Sequence, residues 1–553
     1  MNNRDWWQGA IIYEIYPRSF QDSNGDGVGD LRGILDRLDY VAALGVDAIW
    51  IAPFFKSPMR DFGYDIADYR DVDPTFGTLA DFDALLDAAH QRGLKVIIDQ
   101  VPSHSSDQHP WFQQSRRDRA NPKADWYVWV DPRADGTPPN NWLSLFGGSA
   151  WQWEPRRHQY YLHNFLASQP DLNFHHPAVV DAALDNLRFW LERGVDGFRL
   201  DSINFCFHDA QLRDNPPRPA NVRIGRGYSP DSPYAYQFHR YNNTQPEMLP
   251  FLQQLRALLN EYPGTAALGE VSSDDSLTTM AEYTSPARLH MSYSFELLTD
   301  TCSAAHIRAT VDRLEHTMRD GWPCWALSNH DCVRVRSRWA ATDAPDRVAT
   351  LYSAIAASLR GSTCLYQGEE LALPEADVPY AALRDPYGIA FWPDSKGRDG
   401  CRTPMPWRDA AYGGFSSVAP WLPVDPRHRR LSVVNQKVDP ASPLNRYRAF
   451  LRWRRDQPAL RWGDIHFINA PEPLLVFTRH CETQTLLAMF NLGAASMTMA
   501  APPGIADART GCGLPEGHIE GHQVHVPAYG ALFATMDTAP RSEPAVKGAL
   551  SHV

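Results

Sequence analysis

Short apolar runs alternate with amphipathic helical segments along most of the chain. The predicted strands are 11–16, 46–52, 95–99, 195–201, 267–270, 291–295, 324–328 and 364–366. Between strands, apolar residues recur at helical spacing, as at Leu31, Ile34, Leu38 and Val41 before Gly45. Eight strand–helix units over more than 300 residues are typical of a parallel (β/α)8 TIM barrel, an α/β fold.

The alternation is interrupted once and then ends. Residues 104–173 are rich in Pro, Asn, Gln and Trp without a long periodic stretch, which indicates a loop-rich insertion after the third strand. From about 460 onward, short apolar runs alternate with turn residues and lack helices, which predicts an antiparallel β-sandwich domain. The predicted organisation is a first barrel part at 1–103, an inserted subdomain B at 104–173, a second barrel part at 174–459 with an extended loop after strand 8, a C-terminal β domain at 460–538 and a tail at 539–553.

Composition and charge narrow the class of function. The 553-residue chain is 43% hydrophobic and 21% charged, which suits a folded globular protein. It carries 53 Lys and Arg against 65 Asp and Glu, a net charge of −12, which disfavours a nucleic-acid or anionic-membrane partner. No apolar run approaches the ~18 residues of a membrane span, no signal peptide is visible, and the eight cysteines form no close pairs. We therefore expect a cytoplasmic protein with reduced thiols.

Polar residues lie at the ends of four predicted strands. Asp99 ends the third, Arg199 and Asp201 the fourth, Glu270 the fifth, and Asn329, His330 and Asp331 follow the seventh. In such barrels the strand ends meet at one mouth, where active sites lie. Glycosidic bond cleavage requires a pair of carboxyl groups, one as nucleophile and one as general acid/base, and two of these residues suit those roles. A lone carboxylate is more often a structural ion pair, but four coincident strand ends favour a catalytic centre.

The spacing of Arg199 and Asp201 predicts a contact between them. They lie two residues apart on a strand, so both side chains face the same way. The fixed charge of Arg199 is therefore expected to keep Asp201 ionised, as a nucleophile must be.

Four motifs occur at these strand ends: Asp99-Gln-Val-Pro-Ser-His104, Gly197-Phe-Arg-Leu-Asp201, Gly269-Glu270 and Ser328-Asn-His-Asp331. They resemble the motifs of the α-amylase family, glycoside hydrolase family 13, and the resemblance covers nearly the whole chain. It implies that Asp201 is the nucleophile, Glu270 the general acid/base and Asp331 the carboxylate that distorts and holds the sugar ring. It also implies contacts to the same glucose from His104, Arg199 and His330.

Two residues of the first motif depart from the family pattern. Gln100 and Ser103 stand where Leu and Asn are usual. We expect a changed local network and retained catalysis.

A narrower resemblance is carried by the segments 13–20, 63–69, 169–173 and 397–407. These are similar to segments of the α-glucosidases and oligo-1,6-glucosidases of that family. The resemblance implies that Asp61 and Tyr64 close the end of a glucose pocket, that Phe146, Phe165 and Gln169 form its walls, and that Arg398 and Arg402 contact sugar hydroxyls.

An acidic segment near the N-terminus offers oxygen ligands at alternating positions. These are Asp22, Asn24, Asp26 and Asp30, with the carbonyl of Val28 between the last two. Position twelve is Gly33 instead of a bidentate Glu, which excludes an ordinary EF-hand, and on pattern alone an acidic surface turn explains the segment equally well. The glucosidase resemblance implies a structural calcium ion here, far from the chemistry, with magnesium as the alternative.

The resemblance implies a retaining, exo-acting α-glucosidase that acts on short α-1,4-glucosides such as maltose through a covalent glucosyl-enzyme. Its partners would be a small oligosaccharide substrate and an acceptor alcohol or sugar, with no nucleic acid, membrane or organic cofactor. The alternatives are a dedicated α-glucosyltransferase, or a sucrose or maltose isomerase, on the same scaffold. A non-catalytic barrel subunit, as in some transporters, would be expected to lack the carboxylates and to carry a membrane segment. The sequence specifies no oligomeric state.

Ser202 directly follows Asp201, the nucleophile that the resemblance implies, and bears on linkage specificity. Similar enzymes that cleave α-1,6 bonds usually carry Val here, and those that cleave α-1,4 bonds carry a smaller or polar residue. The sequence therefore predicts a preference for α-1,4 bonds, with the alternative that Ser202 only fills space behind the strand.

Overall fold

The structure is a computed structural model that describes residues 5–223, 228–318 and 320–537. Residue 538 and the predicted tail at 539–553 lie outside the described residues. The strands are β1 (Ile11–Ile15), β2 (Ala48–Ile51), β3 (Phe55–Lys56), β4 (Asp68–Val72), β5 (Lys95–Gln100), β6 (Trp129–Val130), β7 (Trp151–Glu154), β8 (Gln159–Leu162), β9 (Gly197–Leu200), β10 (Ala266–Val271), β11 (Met291–Ser294), β12 (Cys324–Ala326), β13 (Ser362–Tyr366), β14 (Asp464–Phe467), β15 (Leu474–Cys481), β16 (Gln484–Asn491), β17 (Met497–Ala500), β18 (Ile505–Arg509), β19 (His518–Glu520), β20 (Gln523–Val526) and β21 (Ala531–Met536).

The helices follow the amphipathic segments. They are α1 (Leu31–Ala42), α2 (Leu79–Gln91), α3 (Pro110–Ser115), α4 (Pro177–Glu192), α5 (Met248–Asn260), α6 (Ser276–Tyr283), α7 (Ala304–Thr317), α8 (Val335–Trp339), α9 (Arg347–Ser358), α10 (Pro386–Ala390), α11 (Pro426–Arg430), α12 (Val433–Lys437), α13 (Pro443–Arg455) and α14 (Pro458–Trp462). Among the described residues, no helix combines the length and apolar character that crossing a bilayer requires.

The eight predicted barrel strands form one sheet in the order β11-β10-β9-β5-β2-β1-β13-β12. All the paired neighbours are parallel. A bridge between Ser292 and Pro323 links the two ends of the sheet, so the barrel is nearly closed. Side chains alternate as the pleat requires: Ile97 packs with Trp50 in one cluster, while Val96 belongs to the cluster shared with the helices. The predicted barrel is confirmed.

Residues 104–173 form a small layer between β5 and α4. It contains α3 and a three-stranded antiparallel sheet in the order β6-β8-β7. Buried aromatic rings pack it, such as Trp142 against Trp151 at 5.7 Å. A bridge between His104 and Asp171 joins its two ends. The insertion therefore begins and ends beside the barrel mouth and holds His104 there.

The C-terminal region consists of two antiparallel sheets, in the orders β14-β15-β16-β21-β18 and β17-β20-β19. Apolar residues from both sheets share one buried cluster, which confirms the predicted β-sandwich. The buried Arg479 on β15 donates to the carbonyl oxygens of Ser358 and Leu359, at the end of α9. Glu472 accepts from the backbone N–H of Ala305 at 2.7 Å and so caps the start of α7. Both contacts attach the sandwich to the barrel.

Gly197 offers a test of the packing between β9 and β10. Its φ is +151°, and an added Cβ would lie 1.9 Å from the carbonyl oxygen of Ala266. We expect Gly197→Ala to cost about 3 kcal/mol or more, because the backbone of β10 cannot move aside. Gly93→Ala is the control, since Gly93 also has a positive φ of +74° but no atom within 4 Å of the added Cβ. Urea unfolding of both variants measures the difference, and equal costs would contradict the close approach.

Candidate active site

A single buried guanidinium joins three of the predicted carboxylates. Arg199 Nη1 lies 2.9 Å from Asp99 Oδ1 and 2.7 Å from Asp201 Oδ1, and Nη2 lies 2.6 Å from Glu270 Oε2. Arg199 pairs directly with Asp99 across β5 and β9, and Glu270 belongs to the neighbouring β10. Three adjacent strands therefore deliver three carboxylates to one cation, as the strand-end pattern predicts.

Burial sets the ionisation of this cluster. It raises the pKa of Asp99 to about 7 and that of Asp201 well above the usual range, while the Arg199 guanidinium opposes both shifts. The expectation that Arg199 keeps Asp201 ionised considered only the charge of Arg199. Burial shifts the pKa of Asp201 in the opposite direction, and its effect is the larger of the two. One guanidinium cannot compensate three buried carboxylates, so complete ionisation leaves uncompensated negative charge. The cluster is suited to holding and moving a proton.

Two neighbours orient Glu270. The hydroxyl of Tyr293 donates to Oε1 at 3.2 Å, and the backbone N–H of Ser202 donates to Oε2 at 3.0 Å. Ser202 has a φ of +38°, and this left-handed turn after β9 directs its N–H toward Glu270. The residue lines the cavity described below, which places it on the open side of the strand end.

Asp331 lies opposite this cluster between two arginines. Arg402 Nη2 lies 2.8 Å and Arg398 Nη1 3.2 Å from Oδ1, while His330 Nε2 lies 3.2 Å from Oδ2. Burial opposes the ionisation of Asp331, but His330 and the two guanidinium groups hold its pKa below the ordinary range. Asp331 therefore contributes a fixed negative charge.

His330 is held as a neutral ring. It stacks between Tyr16 and Tyr64, with ring centroids 5.6 and 5.4 Å away. Burial lowers its pKa to about 3. Nδ1 lies 2.5 Å from Glu14 Oε1, and Nε2 lies 2.5 Å from the hydroxyl of Tyr64. Both ring nitrogens are therefore engaged, which fixes the ring and the Tyr64 hydroxyl beside it.

Charged side chains close the far end of the site. Arg398 Nη2 lies 2.7 Å from Asp61 Oδ1 and 2.8 Å from Asp385 Oδ1. Gln169 Nε2 donates to Asp61 Oδ2 at 3.2 Å and lies 3.2 Å from His104 Nε2. Segments far apart in sequence therefore meet at one polar wall.

These groups surround a cavity of about 300 Å³. Among the predicted residues, its lining includes Asp61, Tyr64, His104, Phe146, Phe165, Gln169, Asp201, Ser202, Glu270, Asp331 and Arg398. The structure places Arg199, His330 and Arg402 behind this lining, each with no exposed surface. They hold Asp201 and Asp331 in place through the contacts above, and their predicted contact with the sugar stays a prediction.

The two departures from the family motif have different surroundings. Ser103 Oγ lies 3.0 Å from His104 Nδ1, so this serine supports the orientation of the His104 ring. Gln100 alternates with Asp99 along β5 and points away from the cavity, toward Tyr69 and Leu200.

Sequence analysis missed several residues of the site. Glu14 lies within the segment 13–20 that carried a resemblance, but nothing in the pattern marked it as a partner of His330. Asp385 has no motif around it. The apolar outer wall, formed by Phe295, Leu298 and Val333, was also missed; the position of Val333 two residues after Asp331 was the available signal.

The acidic loop folds through successive side-chain turns. Asp22 accepts from the N–H groups of Asn24 and Gly25, Asn24 accepts from that of Asp26, and Asp26 accepts from that of Val28. Asp30 behaves differently, since its oxygens accept from Ser23 and from the N–H of Gly33 at the start of α1. An all-oxygen donor set suits calcium or magnesium. Asp22 is engaged as fully as Asp30, since its Oδ2 also accepts from the N–H of Gly27 and the hydroxyl of Ser416. The predicted ligand set of Asp22, Asn24, Asp26, Asp30 and the Val28 carbonyl therefore stays a prediction.

The chain matches the family model described as alpha amylase, catalytic domain, over residues 14–463. It is 54% identical over 545 residues to a probable alpha-glucosidase of Rhizobium meliloti (strain 1021), covering 97% of this chain and 98% of the relative. It is 36% identical to an oligo-1,6-glucosidase of Heyndrickxia coagulans, covering 90% and 94%. Among solved structures, an alpha-glucosyl transfer enzyme superposes with a TM-score of 0.96 at 62% identity, covering 97% of this chain and 100% of that one.

The crowding of carboxylates around Arg199 predicts a change in pH dependence. In Asp99→Asn, one negative neighbour of Asp201 is removed, so the ionised form of Asp201 becomes easier to reach. We expect the acid limb of kcat/KM for an aryl α-glucoside to move to lower pH, because activity falls only when Asp201 takes up its proton. Asp171→Asn is the matched control: Asp171 is a buried carboxylate with a pKa raised to about 7 by burial, and its oxygens accept from the backbone N–H and the side-chain amide of Asn164. An acid limb at unchanged or higher pH in Asp99→Asn would contradict the proposal that the carboxylates around Arg199 share a proton.

Proposed function

Because the chain belongs to the α-amylase family, we propose that it is a retaining, exo-acting α-glucosidase for short α-1,4-linked glucosides such as maltose. The relatives support an enzyme that acts as an α-glucosidase or an α-glucosyl transferase. The observation that carries the finer proposal is the pairing of Asp201 and Glu270 on one guanidinium beside a cavity with a closed polar end.

The closed end favours removal of one glucose at a time. Asp61 and Arg398 present charged groups suited to sugar hydroxyls, and the rings of Tyr64 and Phe165 offer flat apolar faces. A sugar bound against this wall has no room for a further unit beyond it. The non-reducing terminal glucose would therefore occupy the closed end, with its anomeric carbon toward Asp201.

In the first proposed step, an oxygen of Asp201 attacks the anomeric carbon while Glu270 gives its proton to the glycosidic oxygen. The C–O bond to the leaving sugar breaks and a β-glucosyl ester forms on Asp201. Glu270 is then negative, and Arg199 Nη2, 2.6 Å away, stabilises that charge. In the second step Glu270 removes a proton from water or an acceptor hydroxyl, which attacks the same carbon and releases an α-configured product.

Transfer to an acceptor is the second candidate activity. The apolar outer wall of Phe295, Leu298 and Val333 is one part of the cavity lining, which also includes Asp300 and Arg338. Such a surface favours an alcohol with an apolar body over water. We propose that an acceptor alcohol or sugar competes with water for the glucosyl-enzyme.

Incubation with maltose tests the proposal as a whole. Free glucose and transfer products are separated, and the first product is followed by NMR. We expect α-configured glucose and, with added acceptor alcohol, a rising share of α-glucoside. An initial β-product would overturn the retaining mechanism, and an unchanged ratio of hydrolysis to transfer would overturn the acceptor proposal.

The roles of the two carboxylates predict different losses. Asp201→Asn is expected to lower turnover of every α-glucoside by about 10⁴-fold or more, because it removes the nucleophile. Glu270→Gln is expected to spare formation of the glucosyl-enzyme from an aryl glucoside whose leaving group needs no proton. Burst kinetics with an aryl glucoside measure formation of the glucosyl-enzyme. Steady-state turnover of maltose measures the reaction whose leaving group needs the proton from Glu270. Near-native turnover in Asp201→Asn, or equal loss on both substrates in Glu270→Gln, would contradict these roles.

Ser202 predicts the linkage preference. Its side chain is small and lines the cavity next to Glu270, so we expect the parent to use maltose better than isomaltose. Ser202→Val places a stiff apolar side chain beside the acceptor oxygen and is expected to lower the maltose-to-isomaltose ratio of kcat/KM by about tenfold. Ser202→Ala keeps the site small and serves as the control. A parent that prefers isomaltose, or a ratio that is the same in all three proteins, would contradict the assignment.

We also propose that the loop from Asp22 to Asp30 binds one divalent ion with a structural role. Its residues do not line the cavity, and bound calcium or magnesium would supply charge compensation for the loop carboxylates. A ligand held only by the native state raises thermal stability.

Chelation is therefore expected to lower the melting temperature while the initial rate at low temperature changes little. Asp26→Asn keeps an acceptor for the Val28 N–H but removes a charge, so its melting temperature should respond less to EGTA and to added CaCl₂. An immediate loss of activity on chelation, at unchanged stability, would instead assign the ion to the chemistry.

A further inference from the structure

Two histidines and a glutamate converge on the C-terminal sandwich, outside the cavity. His518 and Glu520 lie two residues apart on β19, so their side chains share one face. His525 on β20 lies directly opposite His518 in the antiparallel register. Among the described residues, this is the one group of three His, Cys, Asp or Glu side chains whose ligand atoms all lie within 4.8 Å of one another.

The distances within this group match those between ligands of one metal ion. Nε2 of His525 lies 3.7 Å from Oε2 of Glu520. The rings of His518 and His525 are nearly parallel, with centroids 4.8 Å apart and an interplanar angle of 16°. Two ligands about 2.1 Å from a zinc ion at the tetrahedral angle lie roughly 3.4 Å apart. The 3.7 Å separation is close to this value, and rotation of the nearly parallel imidazole rings would turn both of them toward one ion.

The three side chains face away from the sandwich core. On β20, Val524 and Val526 are buried in the cluster shared by the two sheets, so His525 between them points outward. The side chain of Glu520 is 79% exposed and that of His525 29% exposed. An ion from solvent can reach the group without any opening of the fold.

A further contact prepares His525 as a ligand. Its Nδ1 lies 2.9 Å from the hydroxyl of Thr498 on β17, the strand that flanks β20 on the other side. A hydrogen bond at Nδ1 leaves Nε2 free and fixes the ring orientation, as partners of metal-bound imidazoles commonly do.

From this arrangement we propose that His518, Glu520 and His525 form a surface site for a first-row transition-metal ion, with zinc as the ion it suits best. Two imidazole nitrogens and one carboxylate favour zinc over calcium or magnesium, which prefer oxygen ligands. Three protein ligands leave at least one position for water. The site differs in ligand type and in place from the acidic loop 22–30.

Zinc at this site would join the short strand β19 to the centre of its sheet. β19 has three residues and is an edge strand with one partner, β20. None of the three ligands lines the cavity. The site therefore acts on the stability of the sandwich and leaves turnover unchanged.

Zinc binding to the untagged full-length chain tests the proposal. Titration with ZnSO₄ in the presence of excess CaCl₂, read by competition with a chromophoric chelator, is expected to show a site that His525→Ala weakens by at least tenfold. His522→Ala is the matched control, since His522 is an exposed histidine of the same hairpin that does not belong to the group. It should retain the parental affinity.

A second readout separates specific binding from misfolding. Zinc should raise the melting temperature of the parent and of His522→Ala but not of His525→Ala, while all three proteins turn over substrate at the same rate. Ring resonances of His518 and His525 should shift on zinc addition in the parent. Equal zinc affinity in the parent and His525→Ala, or equal loss in His522→Ala, would overturn the site.

Discussion

The guanidinium of Arg199 is the interaction on which the organisation of the barrel mouth depends. It lies on β9 between β5 and β10, and each of these strands contributes a carboxylate within 3 Å of it. Only a planar, permanently charged group with several donors can serve three carboxylates at once. Removing such a cation would leave buried negative charges without a partner, and removing one partner of a buried ion pair typically costs about 3–5 kcal/mol. The same contact therefore stabilises the strand ends and sets the charges available for reaction.

The chemistry and the shape of the site come from different parts of the chain. Asp201 and Glu270 project from barrel strands or directly after them, where backbone pairing fixes their positions. The closed end is assembled from Asp61 after β3, Gln169 in the insertion and Arg398 after β13. Changes in these loops could alter the sugar that fits without moving the reacting carboxylates.

Much of the architecture could be predicted because local patterns encode it. Alternating strands and helices identify the barrel, and the two-residue spacing of Arg199 and Asp201 predicts their shared face. Long-range partners were not accessible in this way. Glu14 meets His330, and Asp385 meets Arg398, only after loops of unrelated sequence have folded together. The ionisation of Asp201 could not be predicted from its spacing to Arg199 alone. Its pKa depends on burial and on Asp99 and Glu270 as well as on Arg199.

The arginine that joins the sandwich to the barrel limits how freely these two parts could be exchanged between proteins. Arg479 is fully buried, and it donates to carbonyl oxygens at the end of α9 and around α14. A chimaera that paired this barrel with a foreign sandwich lacking a matching arginine would leave those acceptors buried without donors. We therefore expect recombination to exchange this sandwich domain only for one that carries an equivalent arginine.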